Sequence, residues 1–122
     1  MPSAQRTAPR PVAVFDLDGT LADTAPDLIG TLNHILRAEG LRPLAFEDAR
    51  DMIGAGARAL IQRGFAAADI ELAPDRLERH FQEFLVHYGA NLCNETRLYP
   101  HVPEALDAFQ AEGFALAVCT NK

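Results

Sequence analysis

The run Val12-Ala13-Val14-Phe15-Asp16-Leu17-Asp18-Gly19-Thr20-Leu21 limits what this chain can fold into more than any other stretch. Four consecutive apolar residues, mostly β-branched or aromatic and without alternation, predict a strand covered on both faces, as in a parallel sheet. Charge begins abruptly at Asp16, which marks the strand's carboxyl end, the edge where open parallel sheets gather ligands. Asp-Gly between apolar runs is also a hairpin signal. The residues after Leu21 make no second arm, however, because Thr24 with Asp27 forms a capping-box pattern that opens a helix.

The spacing of the two acids suits phosphoryl transfer. Phosphate monoesters hydrolyse very slowly in water, and a carboxylate nucleophile splits the displacement into two easier steps. Asp16 is the candidate nucleophile. Two residues on, Asp18 can protonate the leaving oxygen and later take a proton from the water that cleaves the aspartyl-phosphate. Two acids this close push one pKa upward, which would keep Asp18 protonated until needed. Phosphate and carboxylates together call for a cation, and Mg²⁺ prefers such oxygen ligands, so Asp16 and Asp18 are also the candidate metal ligands. Gly19 lets the backbone approach a phosphate closely, and the Thr20 hydroxyl stands beside it.

Past this strand the pattern turns helical. Leu28, Ile29, Leu32, Ile35 and Leu36 share one face at a 3.6-residue period, with Gly40 as the stop. Phe46, Ala49, Met52 and Ile53 predict a shorter helix ending at Gly54, and Ala57, Leu60, Ile61, Phe65 and Ala68 another. Leu77, Phe81, Phe84, Leu85 and Tyr88 mark a fourth, opened by Pro74 and closed near Gly89. A fifth helix is expected from Pro103 to Glu112, leading into a second buried strand, Phe114 to Cys119. This is βαβ logic with a helical insertion of roughly 70 residues, far longer than ordinary connections, and reads as a cap.

Thr120 and Asn121 stand at the end of that second strand, where a hydroxyl and an amide can hold phosphate oxygens. Gly54 and Gly56 sit between cap helices, read either as a helix stop with a tight turn or as amides available to an anion, and Arg58 and Arg63 read either as surface residues or as a guanidinium clamp for a carboxylate. Lys122 reads as a solvated end residue. His34 and His80 fall away from the apolar stripes, His87 is also helical, and no metal-ligand spacing links the three, so no zinc site is expected.

The formal net charge of −6 argues against nucleic acid or an anionic membrane as the main partner. Two cysteines are too few for a disulfide framework, and Cys119, in an apolar strand, is expected to be reduced and buried; a cytoplasmic location follows. Residues 1–10 carry no secretory signal and read as a flexible leader, and no stretch approaches the ~20 apolar residues of a membrane span.

With these residues in view, the chain resembles the haloacid dehalogenase superfamily, whose first motif reads Asp-x-Asp-Gly-Thr/Val after a hydrophobic strand. The likeness continues through Asp23-Thr24-Ala25-Pro26-Asp27-Leu28, the Gly54 to Gly56 loop, Leu98-Tyr99-Pro100-His101-Val102-Pro103-Glu104-Ala105-Leu106 and Cys119-Thr120-Asn121-Lys122, and so covers nearly the whole chain. His101 replaces a glycine common in the family, a change that bears on local backbone shape. Members that displace halide lack the second aspartate, so Asp18 points to the phosphatase branch.

The resemblance implies an α/β fold: a Rossmann-like parallel-sheet core over 11–23 and 98–122, with only its amino-terminal strands present, and an inserted α-helical cap over 24–97. It implies an Mg²⁺-dependent phosphatase acting on a small phosphorylated metabolite, 2-phosphoglycolate first and N-acetylmuramic acid 6-phosphate as a sister substrate. The transferring phosphoryl group would sit at Thr120, and the cap loop would meet the substrate. The family's later lysine and acidic motifs have no counterpart before Lys122. An amino-terminal portion with little turnover of its own is therefore expected, or a catalytically silent binding fragment. Homo-oligomerisation is left open.

Overall fold

The computed structural model describes residues 8–121. Lys122 and most of the expected leader lie outside them. Strand β1 (Val12–Phe15) pairs in parallel with β4 (Ala115–Val118), in the register Val12 to Ala115 through Phe15 to Val118. Backbone bonds from Ala115 to Pro11 and from Cys119 to Phe15 extend the pairing at both ends. Helix α5 (Val102–Ala111) leads back into β4 and packs Phe109 edge-on against Phe15, ring centroids 5.4 Å apart.

Among the described residues one face of this sheet is covered, which corrects the expectation of burial on both. Ala13 and Phe15 face α5, whereas Val12 and Val14, on the opposite side of the pleat, are 55% and 61% exposed. Unbroken apolarity identified the strand but does not cover it: among the described residues, α5 is the helix that packs on this sheet. Cys119, just past β4, is likewise exposed and free rather than buried.

Between the two long strands stand four helices: α1 (Ala25–Ala38), the short α2 (Phe46–Ala49) with a 3-10 turn after it (Arg50–Met52), α3 (Ala57–Ala66) and α4 (Pro74–Ala90). The apolar stripe read from the sequence of α1 is the buried one, and Leu32, Ile35 and Leu36 close against Leu60, Ile61, Phe65, Phe84 and Tyr88 of α3 and α4. A two-residue antiparallel ribbon joins the ends of the helical segment: β2 (Ala22–Asp23) pairs with β3 (Arg97–Leu98). The helical unit thus leaves the sheet and returns to it at one place.

The placement of His80 differs from the sequence reading. His80 is fully buried, stacked on Phe65 at 4.8 Å, with Nδ1 2.9 Å from the Glu83 carboxylate. The carboxylate lets an otherwise polar ring enter the core. His34 and His87 stack on each other between α1 and α4, centroids 4.0 Å apart.

Candidate active site

Asp16 follows β1 directly and is exposed, its Oδ1 accepting the Leu17 amide at 2.8 Å. The chain then turns tightly: the Gly19 amide donates to the Ala22 carbonyl at 2.9 Å, and the Leu21 and Ala22 amides both reach the Leu17 carbonyl at 3.1 Å. Gly19 adopts φ +76°, a left-handed conformation that costs a residue with a Cβ. This turn carries half-buried Asp18 back toward the start of α1. There the Thr24 hydroxyl donates to Asp18 Oδ1 at 2.6 Å. On its other side the Thr120 hydroxyl, beyond the end of β4, stands 3.4 Å from Asp18 Oδ2.

Thr24 is therefore the residue before α1, as read, but the capping box does not form. Its hydroxyl makes no bond to the first turn of the helix and goes to the carboxylate instead. The Asp27 carboxylate turns away as well, accepting the Glu95 amide at 3.0 Å, the Thr96 amide at 2.9 Å and the Thr96 hydroxyl at 2.8 Å. A charged acceptor and a converging set of amides win over the neutral local cap.

Asp18 opens onto a cleft of about 600 Å³ between the sheet edge and the helices. Asn121 and the Gly54 to Arg58 loop line one side, and Phe81, Leu85 and Tyr88 of α4 the other. The Asn121 side-chain amide donates to the Gly54 carbonyl at 3.3 Å, tying the end of β4 to that loop. Arg58 lies at the start of α3, its Nε and Nη2 donating to the Glu78 carboxylate at 3.1 and 3.2 Å. The same guanidinium lies 3.6 Å above the Phe81 ring centroid. Arg58, with help from Gln82, holds the Glu78 carboxyl below its ordinary value.

The structure thus brings together Asp18, Asn121, Gly54, Gly56 and Arg58 around one hollow, with Thr120 behind the lining and reaching it through Asp18. Asp16 stands at the strand end, beside the cleft lining rather than in it. Gly19 and Thr20 do not line it: the Gly19 amide is used by the turn, and exposed Thr20 donates its own amide to Leu17 at 3.2 Å. Arg63 is not a cleft residue either, since its Nη1 donates to the Met52 carbonyl at 2.7 Å. Thr24 and Glu78 were missed by the sequence reading. Thr24 had been assigned a local capping role, and a half-exposed helical glutamate such as Glu78 carries no signal of its own.

The two carboxylates at the end of β1 offer oxygen donors only, and among the described residues no group of three or more His, Cys, Asp or Glu side chains converges on a metal-sized point. Such a sparse, all-oxygen set fits Mg²⁺, which is commonly bound by one or two carboxylates while keeping its waters and engaging substrate phosphate.

A parallel strand pair carrying paired aspartates at its edge, with a helical unit inserted after the first strand, defines a class of hydrolase fold. Residues 13–122 match the haloacid dehalogenase-like hydrolase family, and the chain belongs to it. Its curated relatives include a phosphoglycolate phosphatase of Agrobacterium fabrum, 46% identical over 112 residues, covering 92% of this chain and 48% of that protein. A phosphoglycolate phosphatase of Caulobacter vibrioides is 51% identical over 108 residues, covering 88% of this chain and 46% of that protein. Among solved structures, a predicted phosphoglycolate phosphatase of Haemophilus somnus superposes with a TM-score of 0.80 at 41% identity, covering 91% of this chain and 51% of the other. The chain spans about half the length of the curated relatives it matches. Among the described residues no helix is long and apolar enough to cross a membrane.

Proposed function

We propose that the protein is an Mg²⁺-dependent phosphomonoesterase that hydrolyses 2-phosphoglycolate to glycolate and phosphate through an aspartyl-phosphate on Asp16. One observation carries this reading: the Asp18 carboxylate, two residues beyond Asp16, is placed at the end of a substrate-sized cleft with the Thr24 and Thr120 hydroxyls on its two oxygens. The names of the relatives and the Arg58 guanidinium in the cleft wall support the choice of substrate.

The chain's own residues divide the reaction as follows. A carboxylate oxygen of Asp16 attacks phosphorus as the bond to the glycolate oxygen breaks, and Asp18 gives its proton to that oxygen. Asp18, now a carboxylate, takes a proton from water, whose oxygen attacks the phosphoryl group and releases Asp16. Thr120 and Asn121 supply donors for the phosphate oxygens at the end of β4. Asp16 and Asp18 would hold Mg²⁺, which when bound offsets the charge of the phosphate. A reducing cytoplasmic setting belongs to the same reading and accords with two free, exposed thiols, Cys93 and Cys119.

The direct test is a panel of small phosphomonoesters assayed with and without Mg²⁺ in the protein at its full natural length, with an acid quench to trap labelled enzyme. Phosphate release from 2-phosphoglycolate and an acid-stable, base-labile label are expected. Turnover without any covalent phosphoenzyme, after Asp16→Asn, would reassign the nucleophile.

A further inference from the structure

Arg58 brings positive charge into the wall of the cleft that holds Asp18, and α4 fixes its orientation from two directions. Phe81 forms a floor under the guanidinium plane at 3.6 Å. Glu78 takes the Nε and Nη2 edge with both carboxylate oxygens, and Gln82 Nε2 steadies that carboxylate with a 3.1 Å bond to Oε1. A guanidinium carries five N–H donors in a rigid plane. The Glu78 contact engages one edge only, and the two N–H groups of Nη1 are bonded to no described residue.

Stability does not explain this arrangement. Arg58 and Glu78 are 54% and 50% exposed, and ion pairs so open to water contribute little to folding. What the contact does is remove the freedom of a long side chain, so that less order is lost when Nη1 engages a ligand. Glu78 also does not compete with an incoming carboxylate, because that carboxylate would use a different edge of the fork.

Resting on the phosphatase reading above, we propose that Glu78 is a positioning residue for specificity. Together with Phe81 it presents Arg58 Nη1 to the leaving group, so that the cleft selects phosphomonoesters bearing a carboxylate on the ester carbon. The selection sits in substrate binding and is separate from the chemistry at Asp16 and Asp18.

The test compares 2-phosphoglycolate with ethyl phosphate, which replaces the carboxylate by a methyl group, in the protein at its full natural length. A charge-assisted contact of this kind gives the wild type a KM for 2-phosphoglycolate lower by about ten- to a hundredfold. Glu78→Gln is expected to shrink that KM ratio several-fold while kcat for 2-phosphoglycolate changes far less. Arg58→Lys should bring the ratio close to one, since an ammonium neither forks nor stacks as a guanidinium does. A merely structural Glu78 would shift the melting temperature and leave the ratio where it was. A ratio equal to wild type in both variants, or equal KM values for the two esters in the wild type, overturns the proposal while the phosphatase reading stands. Hydrolysis of neither ester overturns both.

Discussion

The Thr24 hydroxyl donates to Asp18 Oδ1 at 2.6 Å, linking the acid after β1 to the residue that opens α1. Thr24 is buried, so this bond is made out of water, where losing it costs more than at a surface. Thr24→Val keeps the shape and removes the donor. The expected result is a fall in kcat of about 10- to 100-fold, the range in which misplacing a catalytic group acts, together with a stability loss of about 1 kcal/mol. Steady-state kinetics and a denaturant melt on the same variant check both. An unchanged kcat would show that Asp18 is oriented without Thr24.

Asp16 and Asp18 should separate cleanly by their failures. Asp16→Asn removes the proposed nucleophile, so phosphoenzyme trapping should fall to background. Asp18→Asn leaves the nucleophile but removes proton delivery, and turnover should drop by about 10²- to 10⁴-fold. For substrates whose leaving group needs no proton, such as an aryl phosphate with an acidic phenol, the Asp18→Asn loss in phosphoenzyme formation should be smaller. Equal losses on both substrate types would remove Asp18 from the acid role.

Asp27 makes acid stability measurable. Burial alone would raise its pKa, but bonds from the Thr96 hydroxyl and from the backbone of Glu95, Thr96 and Asn94 outweigh it and set the value below the ordinary 3.8. A carboxylate with a depressed folded-state pKa stabilises the fold above its unfolded value, and that contribution is lost as pH falls through the folded value. Denaturant melts from pH 5 downward should therefore show stability declining below about pH 4, and Asp27→Asn should flatten part of that decline. The Asn variant should also be less stable at neutral pH, because an amide cannot accept all these donors as a carboxylate does. A slope below pH 4 identical in both proteins would place the acid sensitivity elsewhere.

Much of this architecture was legible because it is local. Leu28 through Leu36 declare a helix face by spacing alone, and Val12 to Phe15 followed by Asp16 declares a strand and its end. What was not legible depends on which of several possible partners a side chain takes, some of them near in sequence and some far along the chain. Asp27 and Thr24 look like a capping box until Thr96 and Asp18 arrive as better partners. His80 reads as a surface residue until Glu83 and Phe65 make its burial tolerable. Within the candidate site, the acids and Thr120 were readable from their positions at strand ends. The Arg58 to Glu78 contact, which spans α3 and α4, was not, since no short-range pattern records how two helices are rotated against each other.

Gly64 reports on that helix packing from the other side. It lies inside α3, where an alanine would ordinarily favour the helix by about 1 kcal/mol. Here a Cβ would fall 2.7 and 2.9 Å from the two methyl carbons of Leu32 on α1 and 3.2 Å from its Cγ. Leu32 is fully buried within the cluster that includes Phe65 and Ile61, so moving its methyls away from a Cβ disturbs that packing. Overpacking a closed core costs about 1–3 kcal/mol, which exceeds the propensity gain. Gly64→Ala should therefore lower stability by about 1 kcal/mol on these terms, and the double variant Gly64→Ala with Leu32→Val should recover part of the loss. Equilibrium unfolding of the single and double variants reads this out. A single variant more stable than wild type would mean that α1 and α3 sit farther apart than the close approach at Gly64 implies.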